Sequence, residues 1–142
     1  MAAREPSPRI GVLADKRDEN AGRYLTSMST KMALVVRTDL AMGRGKIAAQ
    51  AAHAAVAAVM ANIDTKATTA WLKDGQPKVV LRVPDLDALL LVCAEAEASG
   101  LPTQRVEDAG RTQVSGGTVT CCAIGPAFAS ELDDVTGSLT LL

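Results

Sequence analysis

A glycine-rich turn followed by a long alanine-rich run is the sequence feature that most constrains the fold. It occupies Asp39–Asn62, with the sequence DLAMGRGKIAAQAAHAAVAAVMAN. Alanine is the strongest helix former, and its small side chain lets a neighbouring element approach closely. The run therefore predicts a long helix that Lys46 opens and that is packed around most of its circumference.

Polar residues interrupt this helix on one side. Lys46, Gln50 and His53 are spaced i, i+4 and i+7, and because each helical residue turns about 100°, they fall within roughly 60° of one another. Such a stripe must face solvent, a partner or a site. Arg44, between two glycines, adds a full positive charge to a helix N-terminus whose unpaired N–H groups already carry a partial one. We expect this end of the helix to attract an anion.

The same residues also have ordinary structural interpretations. Taken alone, Lys46 fits a surface lysine of a first helical turn, and His53 fits a structural histidine. The pattern GRGK lacks the earlier glycine and the following Ser or Thr of GxxxxGK[ST], so a nucleotide P-loop is not indicated. A small-molecule phosphate binder that uses Gly43–Lys46 is a weaker alternative for the same reason.

Length and composition restrict the class of protein. The 142 residues suffice for one domain with a proper core and are too few for two comfortable ones. The formal net charge of -1 gives no global basic character, so contact with a nucleic acid must come from a local patch. Tyr24, Trp71 and Phe128 are the only aromatic residues, which argues against folds that stack RNA bases on aromatic platforms.

The sequence also indicates a compartment. The cysteines are odd in number and have no C-x-x-C spacing, so neither a disulfide framework nor a zinc site is predicted. A reducing, cytoplasmic location fits this usage best. No run of 18 apolar residues occurs, which excludes an ordinary membrane-spanning helix. The N-terminal segment carries Glu5, Asp15, Asp18 and Glu19 and has no continuous apolar core, so it does not resemble a secretory signal or a transit peptide.

Strand and helix patterns alternate after an irregular start. Residues 1–30 have no lasting period and predict a flexible extension, followed by a domain over 31–142. The pattern predicts an α/β sandwich on a small, mostly parallel or mixed sheet. The predicted strands are Met32–Arg37, Lys78–Val83, Thr103–Glu107 and Thr118–Ile124, where Gly125-Pro126 breaks the last, and the predicted helices after Ala61 are Thr65–Asp74, Leu86–Ser99 and Phe128–Val135, with an apolar tail over Leu139–Leu142.

Three stretches are expected to meet where ligands collect in such sheets, at strand ends and helix N-termini. They are Asp39–Lys46, Asp108–Thr112 and the last strand with Thr118 and Thr120. Together they hold a cation, a carboxylate and hydroxyls, but no strong nucleophile beside an obvious base. This set suits water activation and oxyanion stabilisation better than a covalent intermediate. Taken singly, Asp108 fits a turn residue and the threonines fit β-formers or local backbone partners.

Several segments in this order resemble the archaeal and eukaryotic-type peptidyl-tRNA hydrolase family. The resemblance extends from Lys31 to Leu142. It implies a small four-stranded mixed sheet between helices on both faces in a single α/β domain, commonly a homodimer. The segments are KMALVVRTDLAMGRGKIAAQAAHAAV (Lys31–Val56), GQPKVVLRV (Gly75–Val83), EDAGRTQV (Glu107–Val114), GTVTCCAIGP (Gly117–Pro126) and DVTGSLTLL (Asp134–Leu142).

The resemblance also implies an activity, hydrolysis of the ester that joins a peptide to the 3′ ribose of tRNA. It implies no metal and no cofactor, and neither a membrane nor DNA as a partner. One departure is Asp134, where many members have lysine before VTG, which affects only a peripheral charge contact. His53 matches the histidine of the family's AAQ-x-x-HA helix, and the residues that match the family's catalytic positions are Lys46, Asp108, Thr112 and Thr120.

Ester hydrolysis needs a positioned water, a proton acceptor and positive charge where the carbonyl oxygen becomes anionic. As a hypothesis, Asp108 orients or deprotonates the water, directly or through Thr112. Lys46 stabilises the oxyanion or holds the phosphate of the terminal adenosine, and the sequence leaves both roles open.

The substrate is expected to contact a further set of side chains. Gln50 and His53 share the stripe of Lys46, and local positive charges are expected to hold the tRNA acceptor stem, with an affinity that falls steeply with salt. Each of these charges alone fits a solvated surface residue. The positive residues are Arg37, Arg44, Lys78, Arg82, Arg105 and Arg111.

A non-catalytic adaptor that binds RNA or protein on the same surface is the alternative function, and it would tolerate loss of Asp108.

Overall fold

Helices and strands alternate along the chain, as the sequence predicts. A computed structural model describes residues 29–110 and 116–142. The strands are β1 (Thr30–Arg37), β2 (Lys78–Val83), β3 (Thr103–Glu107), β4 (Val119–Phe128) and β5 (Thr140–Leu141), and the helices are α1 (Arg44–Ala61), α2 (Lys66–Lys73), α3 (Leu86–Ala98) and α4 (Ala129–Thr136).

The strands form one mixed sheet in the order β3-β4-β1-β2-β5. The pair β1–β2 is parallel, and the other three pairs are antiparallel. The sheet has five strands, so the expectation of four is wrong. The additional strand is β5, whose Thr140 and Leu141 pair with Arg82 and Leu81. Two residues are too short to show the alternation by which a strand is recognised in a sequence.

The end of β4 also differs from the prediction. Gly125-Pro126 does not break this strand, which continues to Phe128. The register with β1 shifts by a bulge at this point, and a bulge accommodates residues that a regular ladder would not. Gly125 has φ +105°, and a Cβ there would lie 2.9 Å from the carbonyl oxygen of Lys31. Only glycine fits this close approach.

Helices cover both faces of the sheet. On one face, Met32 and Leu34 of β1 pack with Ala54 of α1 and Trp71 of α2. On the other face, a cluster joins β1 and β2 to α3 and α4. Successive residues of β1 therefore point into two apolar layers, which confirms the prediction that this strand is buried on both sides. The second cluster includes Ala33, Val35, Leu81, Leu89, Val92 and Leu132.

Helix α1 is less enclosed than its composition suggests. Its buried residues are Gln50, Ala54 and Ala58, at i, i+4 and i+8, which form a single stripe against the sheet. Val56 is 63% exposed and Met60 is 70% exposed, so the expectation of packing around most of the circumference is wrong. Alanine favours the helical state on the buried and on the exposed face of a helix alike. The sequence alone therefore does not show which alanines of α1 are buried.

Two observations relate to the expected compartment. Cys93, Cys121 and Cys122 are buried and form no disulfide. In the part of the chain that the structure describes, no helix has the length and apolar character needed to cross a bilayer.

Candidate active site

The ends of β1 and β3, the start of β4 and the N-terminus of α1 meet at one edge of the sheet. Both β1 and β3 run antiparallel to β4, so the ends of β1 and β3 lie beside the start of β4. Helix α1 begins at Arg44 after a short loop that follows β1, and Asp108 directly follows β3. The edge therefore brings together the helix N-terminus and the loop after β3, as the sequence predicts.

Lys46 and Asp108 form an ion pair at this edge. The Lys46 ammonium donates a hydrogen bond to Oδ1 of Asp108, and the two side chains are only 8% and 4% exposed. The second carboxylate oxygen, Oδ2, accepts the backbone N–H of Gly110 at 3.2 Å. The backbone of Asp108 is fixed by its N–H to the Thr118 carbonyl and by its carbonyl to the N–H of Gly117, both at 2.8 Å. The loop thus presents the carboxylate to α1 in one defined position.

These contacts set the charge of the carboxylate. The hydrogen bond from Lys46 lowers the pKa of Asp108 below its ordinary value of 3.8, and the backbone N–H of Gly110 lowers it further. Burial acts in the opposite direction and is outweighed. Asp108 is therefore ionised at neutral pH. A carboxylate of low pKa is a weak proton acceptor, but it orients a donor such as water well.

Gln50 and Thr120 form a second contact between α1 and the sheet. The Thr120 hydroxyl donates to Oε1 of Gln50 at 2.6 Å, and Thr120 is fully buried. The Cys121 thiol also donates to the Gln50 carbonyl at 3.4 Å. The hydroxyl of Thr120 thus contacts the protein interior, and it fixes the turn of α1 that follows Lys46.

The polar stripe of α1 divides between two environments. Lys46 and Gln50 turn into the sheet edge, whereas His53 is exposed further along the helix. Arg44 is exposed at the helix N-terminus. Arg111 and Thr112, two residues that we expect at this site, lie outside the described residues.

Of the six positive residues, the five that the structure describes do not form one patch. Arg37 donates two hydrogen bonds to Asp39 and a third to the Val119 carbonyl, at the same edge as Lys46. Lys78 begins β2, at the opposite edge, and its ammonium lies 5.0 Å from the centre of the Trp71 ring. Arg105 pairs with Glu97 at 3.4 Å. Arg82 is exposed near the end of β2.

The pairing of Arg37 with Asp39 was not predicted from the sequence. An Arg-x-Asp spacing directly after a buried strand is its only signal in the sequence.

In the described residues, no group of three or more His, Cys, Asp and Glu side chains is arranged to hold a metal ion.

The fold and the site define a class: a small α/β protein with a buried lysine–carboxylate pair at the N-terminus of a helix, at the edge of a mixed sheet. Comparison with known proteins specifies it further. Residues 30–142 match the family model described as Peptidyl-tRNA hydrolase PTH2. The chain belongs to this family.

Relatives of high similarity are archaeal proteins that carry the name Peptidyl-tRNA hydrolase. The protein from Sulfurisphaera tokodaii is 49% identical over 121 residues, which cover 81% of this chain and 100% of the relative. The protein from Metallosphaera sedula is 50% identical over 116 residues, 79% of this chain and 99% of the relative. The protein from Sulfolobus acidocaldarius is 48% identical over 119 residues, 79% and 99% of the two chains.

Proposed function

We propose that this chain hydrolyses the ester between a peptide and the 3′ ribose of tRNA, and that the reaction takes place at Lys46 and Asp108. The family membership supports the activity. The observation that carries the location is the ion pair of Lys46 with Asp108 at the start of α1. It supplies both charges that a water-mediated ester hydrolysis uses, and neither residue needs to form a covalent intermediate.

In the proposed mechanism, a water attacks the ester carbonyl while it donates a hydrogen bond to the Asp108 carboxylate. Negative charge then develops on the carbonyl oxygen. An ammonium group has three N–H donors, so Lys46 can keep its bond to Asp108 and donate a second bond to this oxygen. The partial positive charge of the α1 N-terminus acts in the same direction. When the ester bond breaks, the 3′ oxygen of the ribose takes up the proton that the attacking water releases, and the ribose leaves as the alcohol.

The low pKa of Asp108 favours one of its two possible roles. Because the carboxylate stays ionised, it orients the water throughout the reaction, and the proton leaves through another group. We propose Thr112 for this relay. Thr120 acts as a positioning residue, since its buried hydroxyl holds Gln50 and therefore the turn of α1 that carries Lys46.

The activity is tested with a purified chain and a labelled N-blocked aminoacyl-tRNA. The wild type should release the labelled amino acid, and Asp108→Ala should release it far more slowly. The adaptor alternative is tested in the same experiment, because an adaptor has no turnover to lose and keeps its RNA binding in both forms.

The charge of Asp108 leads to a prediction for its titration. We expect the carboxyl carbon of Asp108, followed by NMR, to titrate with a midpoint below 3.8. In Lys46→Met the midpoint should move upward, because the main cause of the lowered pKa is removed. Since the folded pKa is the lower one, the pair stabilises the fold above the ordinary pKa, and this stability is lost as the pH falls through the folded value. A wild-type midpoint above 3.8 would contradict the assignment.

The tRNA is proposed to approach the edge of the sheet that holds the ion pair. Arg44 and Arg82 are exposed there, and exposed cations attract the phosphates of an acceptor stem. His53 extends this surface along α1. Arg111, three residues after Asp108 in the sequence, completes the proposed set.

We also propose that the chain forms a homodimer through the exposed face of α1 and α2. Val56, Met60, Ile63 and Leu72 are 63%, 70%, 49% and 39% exposed. Between the two helices lies a groove of about 350 Å³ with Trp71 in its wall. Large exposed apolar patches of this kind are typical of protein interfaces.

Met60→Glu should therefore convert the dimer into a monomer. In sedimentation velocity at tens of micromolar protein, we expect the apparent mass to fall from twice to once the chain mass of 14.7 kDa, because a buried charge is costly in an apolar interface. Leu91→Glu is the matched control, since Leu91 is 60% exposed on α3, which covers the opposite face of the sheet. A monomeric wild type, or an equal effect of Leu91→Glu, would rule out this interface.

We propose that residues 31–142 carry the activity and that residues 1–30 are an extension, because alignments covering 99–100% of the relatives span about 80% of this chain. A cytoplasmic location agrees with the free cysteines and with a substrate used in translation.

A further inference from the structure

We propose that Arg37 is a positioning residue, which holds the loop before α1 against the start of β4 and thereby places Lys46 opposite Asp108. This inference rests on the proposed function. It replaces the expectation, drawn from the sequence, that Arg37 contacts tRNA phosphate.

The contacts of Arg37 are those of a structural fork. Its Nε and Nη2 donate to the two carboxylate oxygens of Asp39 at 3.0 Å and 2.8 Å. Its Nη1 donates to the Val119 carbonyl at 3.0 Å. The side chain is only 10% exposed. Three of the five N–H donors are therefore engaged within the protein, and little of the guanidinium surface is left for an external phosphate.

These partners lie on both sides of the site. Asp39 belongs to the loop between β1 and α1, the helix that carries Lys46. Val119 follows Thr118, whose carbonyl accepts the backbone N–H of Asp108. The hydrogen bonds of Arg37 thus join the loop before Lys46 to the backbone that fixes Asp108. The ion pair of Lys46 with Asp108 is a second connection between the same two segments.

The electrostatics agree with a fixed pair. The hydrogen bond to Asp39 raises the pKa of Arg37, and the same bond lowers the pKa of Asp39. Both groups therefore stay charged while they are paired. A bidentate pair of this kind adds geometric definition as well as energy, and geometric definition is what a reacting pair such as Lys46 and Asp108 requires.

Arginine and lysine should differ at this position. A lysine supplies the same charge but not the planar fork, so it cannot bond both oxygens of Asp39 and the Val119 carbonyl together. A phosphate contact needs mainly the charge. Arg37→Lys therefore distinguishes positioning of the site from contact with phosphate. Asp39→Asn distinguishes the same two roles, because it removes the partner carboxylate and would release Arg37 for phosphate binding.

The experiment measures kcat and KM with an N-blocked aminoacyl-tRNA at two salt concentrations. If Arg37 positions the site, Arg37→Lys and Asp39→Asn should each lower kcat by about 10-fold to 100-fold, with KM and its salt dependence within about twofold of the wild type. The double variant should lose no more than the single ones, since one interaction is removed in all three. Asp133→Asn is the matched control, because Asp133 pairs with Lys31 at the opposite end of β1, and it should keep the wild-type kcat.

The outcomes separate the inference from the function on which it rests. If the wild type itself does not hydrolyse the substrate, the proposed function fails. If the wild type is active and Arg37→Lys keeps its kcat, or Asp39→Asn lowers KM, then Arg37 is a phosphate contact and the inference is wrong. Thermal unfolding of each variant is recorded, and kcat is measured well below the unfolding midpoint, so that a loss of folded protein is not counted as a loss of positioning.

Discussion

Asp108→Asn should lower kcat for an N-blocked aminoacyl-tRNA by about 10²–10⁴. Asparagine has nearly the same shape as aspartate, and its amide oxygen can still accept a hydrogen bond. What it lacks is the negative charge, which in the wild type is stabilised by Lys46 and by the backbone N–H of Gly110. The water that attacks the ester then loses its charged acceptor, while the contacts that bind tRNA remain. KM should therefore change by less than about threefold.

The control for this variant is the state of Lys46. Removal of one partner of a buried ion pair leaves the other charge without compensation, so we expect a lower thermal midpoint for Asp108→Asn. Asp108→Asn combined with Lys46→Met removes both charges and should recover much of that stability while it stays inactive. If the double variant were active, or if Asp108→Asn kept more than about a tenth of the wild-type kcat, Asp108 would have no place in the reaction.

The meeting of Lys46 and Asp108 could be predicted because it follows from alternation and chain direction. A buried strand, a glycine-rich turn and a helix place Lys46 at one edge of a sheet. Asp108 follows the strand Thr103–Glu107, whose end is expected at the same edge. The ion pair of Lys46 with Asp108 confirms this placement. This contact could be predicted because the strand and helix patterns on which it depends each extend over many residues of the sequence.

The features that were missed are short or depend on partners far away in the chain. Strand β5 has two residues, and the strand that crosses Gly125-Pro126 depends on a bulge opposite Lys31. Alanine and other apolar residues occur on both the buried and the exposed faces of α1, so its composition does not show which face is buried. These properties depend on tertiary packing and leave little trace in local sequence.

Arg37 illustrates the limit for charged residues. In the sequence it is one of the six positive residues that are expected to hold the acceptor stem, and each of them alone also fits a solvated surface charge. The structure distinguishes them by partner: Arg37 is bonded to Asp39 and Val119, Arg105 to Glu97, and Lys78 lies over Trp71. The set of six candidates therefore overstates the positive surface available to a nucleic acid, and among the described residues Arg44 and Arg82 remain exposed for it.

Lys46→Ala should lower kcat by about 10²–10³ and leave KM nearly unchanged. Of the two roles that the sequence left open, we expect stabilisation of the oxyanion. Lys46 is 8% exposed and bonded to Asp108, so its ammonium lies beside the carboxylate that holds the water. Arg44, which is exposed two residues earlier, is better placed for the phosphate of the terminal adenosine.

A shortened substrate distinguishes these roles. N-blocked aminoacyl-adenosine without a 5′ phosphate keeps the ester but lacks the phosphate that Lys46 would hold. If Lys46 stabilises the oxyanion, Lys46→Ala should reduce kcat/KM by the same factor on this compound and on the complete tRNA, because the charge that develops on the carbonyl oxygen is identical. Arg44→Ala should reduce kcat/KM on the tRNA alone, through KM. A loss in Lys46→Ala that disappears on the shortened substrate would assign Lys46 to the phosphate, and would leave the α1 N-terminus as the source of positive charge for the transition state.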